Sequence, residues 1–331
     1  MTDEFQEQYD AVKNGAGWRD LTKERSRFTA AGPDRVTFLH ALLSNDIESL
    51  SEDSGAYTTL LTPTGKIIAD FYCYRLADRV LLDVREDLFD KLFTKLQEYI
   101  IMDDVELSDV SSEYAHVSLQ GSAASERLRT TIGNSPDLSP LGISHCVWDD
   151  HPLMVIRKNE LSTPGFEILL PGKALSEFLA RMTSPEPGIE VQKLGDQAYN
   201  VLRLEQGIPI YGVDMSEKNN PLEVGLRESY SLTKGCFVGQ EVVAKATNIG
   251  GVARLLSRIQ CLDQAVPEAG GKVFSEEGQE IGWITSAAYS PGLGRPIALS
   301  YLKRVVSVPG TDCYVESGEE RIRARIVEAF D

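Results

Sequence analysis

The chain has 331 residues, with 33 Lys and Arg against 50 Asp and Glu, and a formal net charge of −17 at pH 7. Such an acidic surface repels phosphate backbones and anionic lipids, so we expect no direct binding to nucleic acid or membranes. Hydrophobic residues make up 42% and charged residues 25% of the chain, which excludes a disordered protein and allows more than one packed core.

The N-terminal stretch MTDEFQEQYDAVKNG has neither the cationic start nor the apolar run of a signal peptide. No stretch is apolar over the roughly 18 to 20 residues that span a bilayer. We therefore expect a cytoplasmic protein.

The cysteines are scattered and form no CxxC pair, which argues against a disulfide framework or a closed zinc site. They are Cys73, Cys146, Cys236, Cys261 and Cys313. His145, Cys146 and His151 lie close together in an irregular polar segment, but no fourth ligand accompanies them. We expect no bound metal.

The first half of the chain shows alternating helical and strand signals. Apolar residues at helical spacing follow Asp34, which we expect to cap a short helix. The runs IIADFYCYRL and RVLLDV predict a hairpin over 67–84. Apolar residues at three- and four-residue steps over 88–100 predict a longer amphipathic helix with an aromatic stripe facing the core.

Further along, YAHVSLQG and GFEILLP are typical of strands, and each precedes a helical segment, ASERLRTTIG and ALSEFLARM. Past about Arg254, short strands separated by Gly- and Pro-rich turns predict a small β-barrel. The pattern favours an α+β fold over a doubly wound parallel sheet. We expect a region over 1–250 made of two interleaved α+β subdomains, with boundaries near 50 and 115–150, and a barrel domain over 251–331.

The segment KGCFVGQE carries the densest motif, and we interpret it as a structured loop. Its candidate functional residues are Lys234, Gly235, Cys236, Gly239, Gln240 and Glu241. The glycines permit tight turns around Cys236, and the Lys234 charge lies close enough in sequence to favour a reactive thiolate. The alternative is that Cys236 is a small buried residue that fills a turn.

This motif closely resembles the signature of the YgfZ-like folate-binding proteins, which are relatives of the glycine-cleavage T-protein (GcvT) implicated in iron–sulfur cluster assembly or repair. Three further segments are similar to T-protein segments: RLEQGIPIYGVDM, NPLEVGL and GWITSAAYSPGLGRPIALSYL. The resemblance spans nearly the whole chain and implies the T-protein (aminomethyltransferase) fold around a central folate pocket.

The resemblance also places the transfer site in AYTTLLTPTGKIIADFYCY. There the family enzyme has a pair of aspartates and this chain has Ala69 and Asp70. The resemblance implies that the first of the pair is the catalytic position, where alanine can neither accept a proton nor stabilise a cation. The expectation is therefore a protein without T-protein aminomethyltransferase activity, with Asp70 as a weaker catalytic candidate or a carboxylate that stabilises a turn.

Four residues match positions of the family's folate pocket. Tyr57 matches the folate-site tyrosine, and Glu167 matches a glutamate that anchors the pterin, since a carboxylate accepts the N–H donors of its amino and amide edge. Tyr199 stands where YgfZ-like proteins have an aromatic that can stack on the pterin, although its helical spacing with Arg203 also fits core packing. Arg25 matches another pocket position.

The main functional expectation is a tetrahydrofolate-binding accessory protein for iron–sulfur cluster assembly or repair that acts through Cys236 and Lys234. Its partners would be reduced folate and iron–sulfur enzymes or assembly factors, and we expect a monomer. The first alternative is a folate-dependent aminomethyl- or methyltransferase of the T-protein class. The second is a non-catalytic structural adaptor.

Overall fold

The computed structural model describes residues 2–134, 136–161, 163–245, 251–318 and 320–327. It shows the expected α+β architecture, with mixed and antiparallel sheets, helices and a closed six-stranded C-terminal barrel. The chain divides into two compact units. The first comprises Met1–Leu60, Ala69–Tyr199 and Thr233–Phe237, and the second comprises Leu61–Ile68, Asn200–Leu232 and Val238–Asp331.

The helices and strands alternate irregularly along the chain. The helices are α1 (Asp3–Asn14), α2 (Arg35–Leu42), α3 (Phe89–Tyr99), α4 (Ala124–Ile132), α5 (Leu175–Met182), α6 (Asp196–Gln206), α7 (Pro221–Val224) and α8 (Gln240–Lys245). The strands of the first unit's sheets are β1 (Ala16–Asp20), β2 (Arg25–Ala31), β3 (Ser54–Leu61), β4 (Ile67–Arg75), β5 (Arg79–Arg85), β6 (Glu106–Asp109), β7 (Ala115–Gln120), β8 (Ile143–Trp148), β9 (His151–Arg157), β10 (Gly165–Leu170) and β11 (Val191–Lys193). The barrel strands are β12 (Arg254–Cys261), β13 (Lys272–Ser275), β14 (Glu280–Ser290), β15 (Arg295–Lys303), β16 (Asp312–Ser317) and β17 (Glu320–Val327).

A five-stranded sheet in the order β3-β4-β5-β2-β6 contains the predicted hairpin, which is β4 and β5. One face of this sheet is apolar and is covered by α3, the predicted amphipathic helix. Phe28 on β2 makes edge contacts with Phe89 and Phe93 of α3, with ring centroids 5.7 and 5.2 Å apart. The aromatic stripe of this helix therefore packs in the core, as the periodicity indicates.

A six-stranded sheet in the order β11-β1-β7-β10-β9-β8 forms the other layer of the first unit. One of its faces packs against α4 and α5, through buried residues that include Leu119, Leu128, Phe166 and Phe178. A second buried cluster joins the two sheets of this unit, with Tyr74 and Leu81 from the five-stranded sheet and Ile156 and Leu169 from the six-stranded sheet. Polar residues on the facing surfaces meet beside this cluster.

The second unit contains a closed barrel in the order β12-β15-β14-β13-β16-β17. Its interior is filled by apolar side chains, among them Ile259, Cys261, Val315 and Ile326. Closing the sheet leaves no strand edge unpaired.

Local expectations at three points were wrong. Asp34 makes no capping hydrogen bond to α2, because its Oδ2 accepts the Asp104 amide at 2.8 Å. The segment over 145–151 is not irregular, because β8 and β9 form a hairpin there. The KGCFVGQE segment is not entirely a loop, since Gln240 begins the short helix α8.

Candidate active site

The structure places Ala69 and Asp70 on opposite faces of β4, because successive side chains of a strand alternate. Ala69 lies fully buried on the apolar face with Phe71 and Cys73. Asp70 lies on the polar face with Tyr72 and is half-buried. A carboxylate at position 69 would therefore enter the hydrophobic core. In this register position 70, and not position 69, lies on the polar face of the sheet.

Asp70 is paired with Tyr57 of the adjacent strand β3. The Tyr57 hydroxyl donates to Oδ2 of Asp70 at 2.8 Å, while Oδ1 is buried and makes no hydrogen bond within the described residues. Burial raises the pKa of Asp70 despite the hydrogen bond from Tyr57 and the positive charge of Arg25. Burial and the neighbouring carboxylate also raise the pKa of Tyr57, so this hydroxyl remains a donor. Asp70 thus has one oxygen free to accept a proton or a hydrogen bond.

Arg25 reaches this face from β2, where it pairs with Asp83 of β5. Its Nη2 lies 2.7 Å and its Nε 3.0 Å from Oδ2 of Asp83, and its guanidinium lies 5.8 Å from the Tyr72 ring centroid. Arg27 is fully buried two residues further along β2, and its Nε lies 3.3 Å from Oδ1 of Asp83. Burial alone would raise the pKa of Asp83, but the two guanidinium groups hold it well below its ordinary value. Asp83 is therefore a charged centre that orients both arginines.

His116 on β7 connects these arginines to Glu167 on β10. Arg27 Nη2 donates to Nδ1 of His116, so the imidazole is neutral and carries its proton on Nε2. That proton is donated to Oε2 of Glu167 at 2.6 Å. Burial and the Arg27 charge lower the pKa of His116, in agreement with a neutral ring. Glu167, predicted to bind the pterin, is only 1% exposed.

Tyr199 on α6 is half-buried. An arginine already lies over the ring that was expected to stack on the pterin. The Arg19 guanidinium lies 4.1 Å from its ring centroid, and its hydroxyl donates to Oε1 of Glu160 at 2.7 Å. Glu160 also faces the buried ammonium of Lys158, with Oε2 at 3.5 Å. Lys158 in turn lies 4.3 Å from the Tyr72 ring centroid. The structure thus brings Tyr199 and Glu167 into one polar cluster, and Tyr57, Asp70 and Arg25 into the facing one.

Of these residues, His116, Ser118 and Arg27 were not predicted from the sequence, whereas Arg25 was. His116 and Ser118 alternate on β7, and Arg25 and Arg27 alternate on β2. Such alternation ordinarily indicates a face open to water. Here the two polar faces meet inside the first unit, so the same pattern marks a buried site.

The cysteine motif is divided between the two units, since Lys234, Gly235 and Cys236 belong to the first and the residues from Val238 onward to the second. Cys236 is a free, exposed cysteine, which excludes the alternative of a buried turn filler. The Gly239 backbone has φ +82°, and a Cβ there would come within 2.7 Å of the Thr62 carbonyl oxygen, so this position requires glycine. Gln240 and Glu241 form the start of α8.

Lys234 makes hydrogen bonds to backbone carbonyl oxygens that the sequence did not predict. Its ammonium donates to the carbonyl oxygens of His40, Leu43 and Asn45, the last two at 2.6 and 3.0 Å, and so caps the C-terminal end of α2. Burial lowers the pKa of Lys234 to about 8, while Asp46 and Glu48 oppose that shift. The group is therefore protonated at neutral pH and holds the Cys236 loop against α2. An effect of its charge on the thiol stays a prediction.

Replacing Lys234 tests how much its hydrogen bonds contribute to the stability of the fold. Lys234→Met leaves three carbonyl oxygens without their donor, and we expect a loss of about 1–3 kcal/mol in the free energy of unfolding. Cys236→Ser changes an exposed side chain and should stay within about 0.5 kcal/mol of wild type. Urea denaturation of both variants checks this. Equal stability of Lys234→Met and wild type would contradict the capping assignment.

No group of three or more His, Cys, Asp or Glu residues suited to a metal ion occurs among the described residues. His145 instead bonds Asp53 at 2.9 Å on the surface, and the remaining members of that candidate set lie along the β8-β9 hairpin. Within the same described part of the chain, every helix is too short or too polar to cross a membrane.

Comparison with known proteins identifies the fold and family. A family model described as the GCVT N-terminal domain matches residues 1–234, and the model of the glycine cleavage T-protein C-terminal barrel domain matches residues 254–330. An aminomethyltransferase of Moorella thermoacetica is 31% identical over 330 residues, covering 97% of this chain and 88% of the relative. One of a Geobacillus species (strain WCH70) is 30% identical over 333 residues, covering 98% and 89%.

The crystal structure of the glycine cleavage system aminomethyltransferase T from Bartonella henselae superposes with a TM-score of 0.87 at 23% identity, over 98% of this chain and 88% of that one. The fold is thus of the aminomethyltransferase class. The chain belongs to the glycine cleavage T-protein (GcvT) family.

These relatives correct the main functional expectation. Proteins 28% to 31% identical over nearly the whole chain are named aminomethyltransferase, which favours the transferase alternative over an accessory protein for iron–sulfur cluster assembly. On β4, Asp70 lies on the polar face of the strand and Ala69 on its apolar face.

Proposed function

We propose that this protein is a tetrahydrofolate-dependent aminomethyltransferase in which Asp70 is the catalytic carboxylate. The observation that carries the proposal is the Asp70–Tyr57 pair on the polar face of β3 and β4. The pair provides a carboxylate with a raised pKa, and one of its oxygens has no hydrogen-bond partner among the residues that the structure describes. It lies beside aromatic rings and across from a second cluster of carboxylates. The names of the full-length relatives support the same class of reaction.

The residues present fit a reduced folate. Tyr57 and Tyr72, with ring centroids 5.0 Å apart, offer aromatic surface to a planar heterocycle. The carboxylate groups of the facing cluster can accept the N–H donors of a pterin edge. Arg25 is held by Asp83 and supplies positive charge near Tyr72 without being directed at Asp70.

In the transfer the aminomethyl carbon exchanges its bonds to the carrier and to its own nitrogen for bonds to two folate nitrogens. The two protons of those nitrogens end on the released carrier and on ammonia, so a group that takes up and returns protons is required. A carboxylate whose pKa is raised is better suited to both steps than an ordinary aspartate, because its acid and base forms lie closer in free energy at neutral pH. Tyr57 orients Asp70 by its hydrogen bond and, with its own raised pKa, does not compete for the proton.

KGCFVGQE supports a second, narrower proposal, that the chain is of the YgfZ-like sequence type within the family. On this view the motif accompanies a transferase site, and its conformation depends on the Lys234 contacts and on Gly239. This assignment makes the exposed Cys236 a functional residue, so lowered activity in a folded Cys236→Ser variant supports it and wild-type activity in that variant contradicts it.

Calorimetric titration with tetrahydrofolate provides the first test of the main proposal, because the wild-type protein should bind it in a one-to-one ratio. Asp70→Asn should bind with similar affinity, since the amide keeps the shape and the oxygen acceptor for Tyr57. Absence of binding by the wild-type protein would refute the proposal.

A further inference from the structure

Strand β8 forms an open edge of the six-stranded sheet, and it contains no Asp, Glu, Lys or Arg. Val147 is 69% exposed, and the His145 side chain is 51% exposed. Edge strands in natural proteins commonly carry charged residues, which prevent pairing with another strand. The edge strand β6 carries exposed Glu106 and Asp109, and the edge strand β11 carries exposed Lys193. Strand β8 lacks this protection against a second strand.

The turn between β8 and β9 determines which backbone groups of β8 face outward. The turn residues 149 and 150 have φ values of 47° and 63°, and Trp148 pairs with His151. A two-residue turn with two positive φ values closes on a pair that exchanges both hydrogen bonds. The N–H and C=O groups of the even-numbered residues of β8 therefore point to β9. Those of the odd-numbered residues point away from the sheet.

The contacts of Ile143 agree with this assignment. Its N–H donates to the carbonyl oxygen of Asp53 at 2.8 Å, on the outward side of β8. His145 and Val147 are the next odd-numbered residues, and β8 has no further strand beside it in the described part of the chain. Their outward N–H and C=O groups are thus available to another strand.

These outward groups are self-complementary when two copies of β8 lie antiparallel. With His145 of one copy opposite Val147 of the other, each of the two symmetric pairs can exchange N–H···O=C bonds. A shift by two residues in one direction would need the N–H of Ile143, which Asp53 already accepts, and a shift in the other direction reaches the turn. The unshifted pairing sets the two Cys146 residues opposite each other, with Cα atoms about 4.5 Å apart.

The charges and size of this contact predict a weak association. Asp149 of one copy comes diagonally opposite His145 of the other, which is favourable when the imidazole is protonated. Asp53 lies 2.9 Å from the same imidazole and has the same sign as Asp149, and each chain carries a net charge of −17. Pairing of one short strand also buries less than the roughly 1,200 Å² of a stable interface. The association should therefore depend on protein concentration.

We propose that two copies of this chain associate through β8, antiparallel and with Cys146 on the twofold axis, so that their six-stranded sheets form one continuous sheet. This inference is independent of the proposed function and takes the place of the monomer expected from the sequence. Burial raises the pKa of the Cys146 thiol, so this group stays protonated. The backbone pairing does not require a disulfide.

Sedimentation velocity of the full-length chain measures the association. It compares about 1 µM with about 100 µM protein, with reductant and enough salt to screen the net charge. We expect a monomer at the lower concentration and a reversible dimer at the higher. Val147→Lys, with its fold checked by circular dichroism, places a charge on the shared edge and should weaken the dimer at least about tenfold. Val305→Lys adds the same charge at an 85% exposed valine between β15 and β16 and should associate as wild type.

Disulfide trapping tests the register of the two strands. Diamide takes up the two hydrogens lost when two thiols form a disulfide, and it is added to Cys236→Ser, in which Cys146 is the one cysteine that is not buried. We expect a covalent dimer joined through the two Cys146 residues in peptide mass mapping, and at least about tenfold less of it when Val147→Lys is added.

The outcomes separate the association from its register. A wild-type monomer at about 100 µM, or a dimer that Val147→Lys leaves unchanged, would overturn the proposal. A dimer that Val147→Lys abolishes but that gives no Cys146 disulfide would overturn the pairing about Cys146.

Discussion

Asp70→Asn should lower kcat/KM for aminomethyl transfer by about 10²- to 10⁴-fold, the usual contribution of a positioned general acid or base. The substitution preserves shape and the acceptor for the Tyr57 hydroxyl, so the loss should fall on kcat rather than on folate affinity. Steady-state kinetics with tetrahydrofolate as the varied substrate separates the two effects.

Position 69 supplies the matched control for this prediction. Ala69 is fully buried beside Phe71 and Cys73, so Ala69→Asp introduces an unpaired carboxylate into the apolar core. We expect this variant to be strongly destabilised and, combined with Asp70→Asn, to restore no activity. Recovery of activity in the double variant would show that position 69 faces the reacting groups after all.

The pH profile provides a second readout of the same residue. The pKa of Asp70 is raised, so the carboxylate loses its charge as pH falls through a value above the ordinary one of about 3.9. We expect kcat in the wild type to fall on this acid side. The Asp70→Asn variant should lack that limb.

Asp83→Asn should have the largest effect on stability, with a loss of about 3–5 kcal/mol in the free energy of unfolding. The reason is that Asp83 is the shared counter-ion of Arg25 and Arg27, and Arg27 is fully buried. An amide deprives the buried Arg27 and the largely buried Arg25 of the carboxylate that they share. Urea denaturation followed by circular dichroism measures the change.

The same Asp→Asn change at an exposed arginine–aspartate pair is the control for Asp83→Asn. Asp87 lies 2.7 Å from Arg85 with both side chains at least 32% exposed, and Asp87→Asn should cost no more than about 1 kcal/mol. Similar losses in Asp83→Asn and Asp87→Asn would refute the assignment of Asp83 as the centre of the buried network.

The pH dependence of the free energy of unfolding should differ between wild type and Asp83→Asn. The pKa of Asp83 is depressed in the folded protein, so between the folded and unfolded pKa values the unfolded chain binds more protons. The stabilisation is therefore fully present above the unfolded value of about 3.9 and is lost as pH falls below it. Asp83→Asn should flatten the acid side of the stability profile.

Much of the fold follows from local patterns in the sequence. Helix α3 and the β4-β5 hairpin are predictable because their apolar spacing agrees with their burial, and the barrel is predictable from short strands separated by Gly and Pro turns. Helix α1 was not predicted, although Thr2 accepts a hydrogen bond from the Phe5 amide as an N-cap. Its apolar face is short, and most of its positions are polar.

The site was harder to predict, for two physical reasons. Alternation along a strand shows which residues share a face but not whether that face meets water, so His116 and Arg27 gave no signal of burial. The order of Ala69 and Asp70 in the sequence does not show which of them lies on the polar face, whereas the burial of Phe71 and Cys73 on the same face as Ala69 does.

Product formation tests the central claim most directly. The wild-type protein is incubated with tetrahydrofolate and an aminomethylated carrier protein, and methylenetetrahydrofolate and ammonia are quantified together. We expect both products in equal amounts with multiple turnovers in wild type, and at least about a hundredfold slower formation in Asp70→Asn. Tight folate binding without any product from wild type, under conditions where a T-protein from another source turns over the same carrier, would contradict the account.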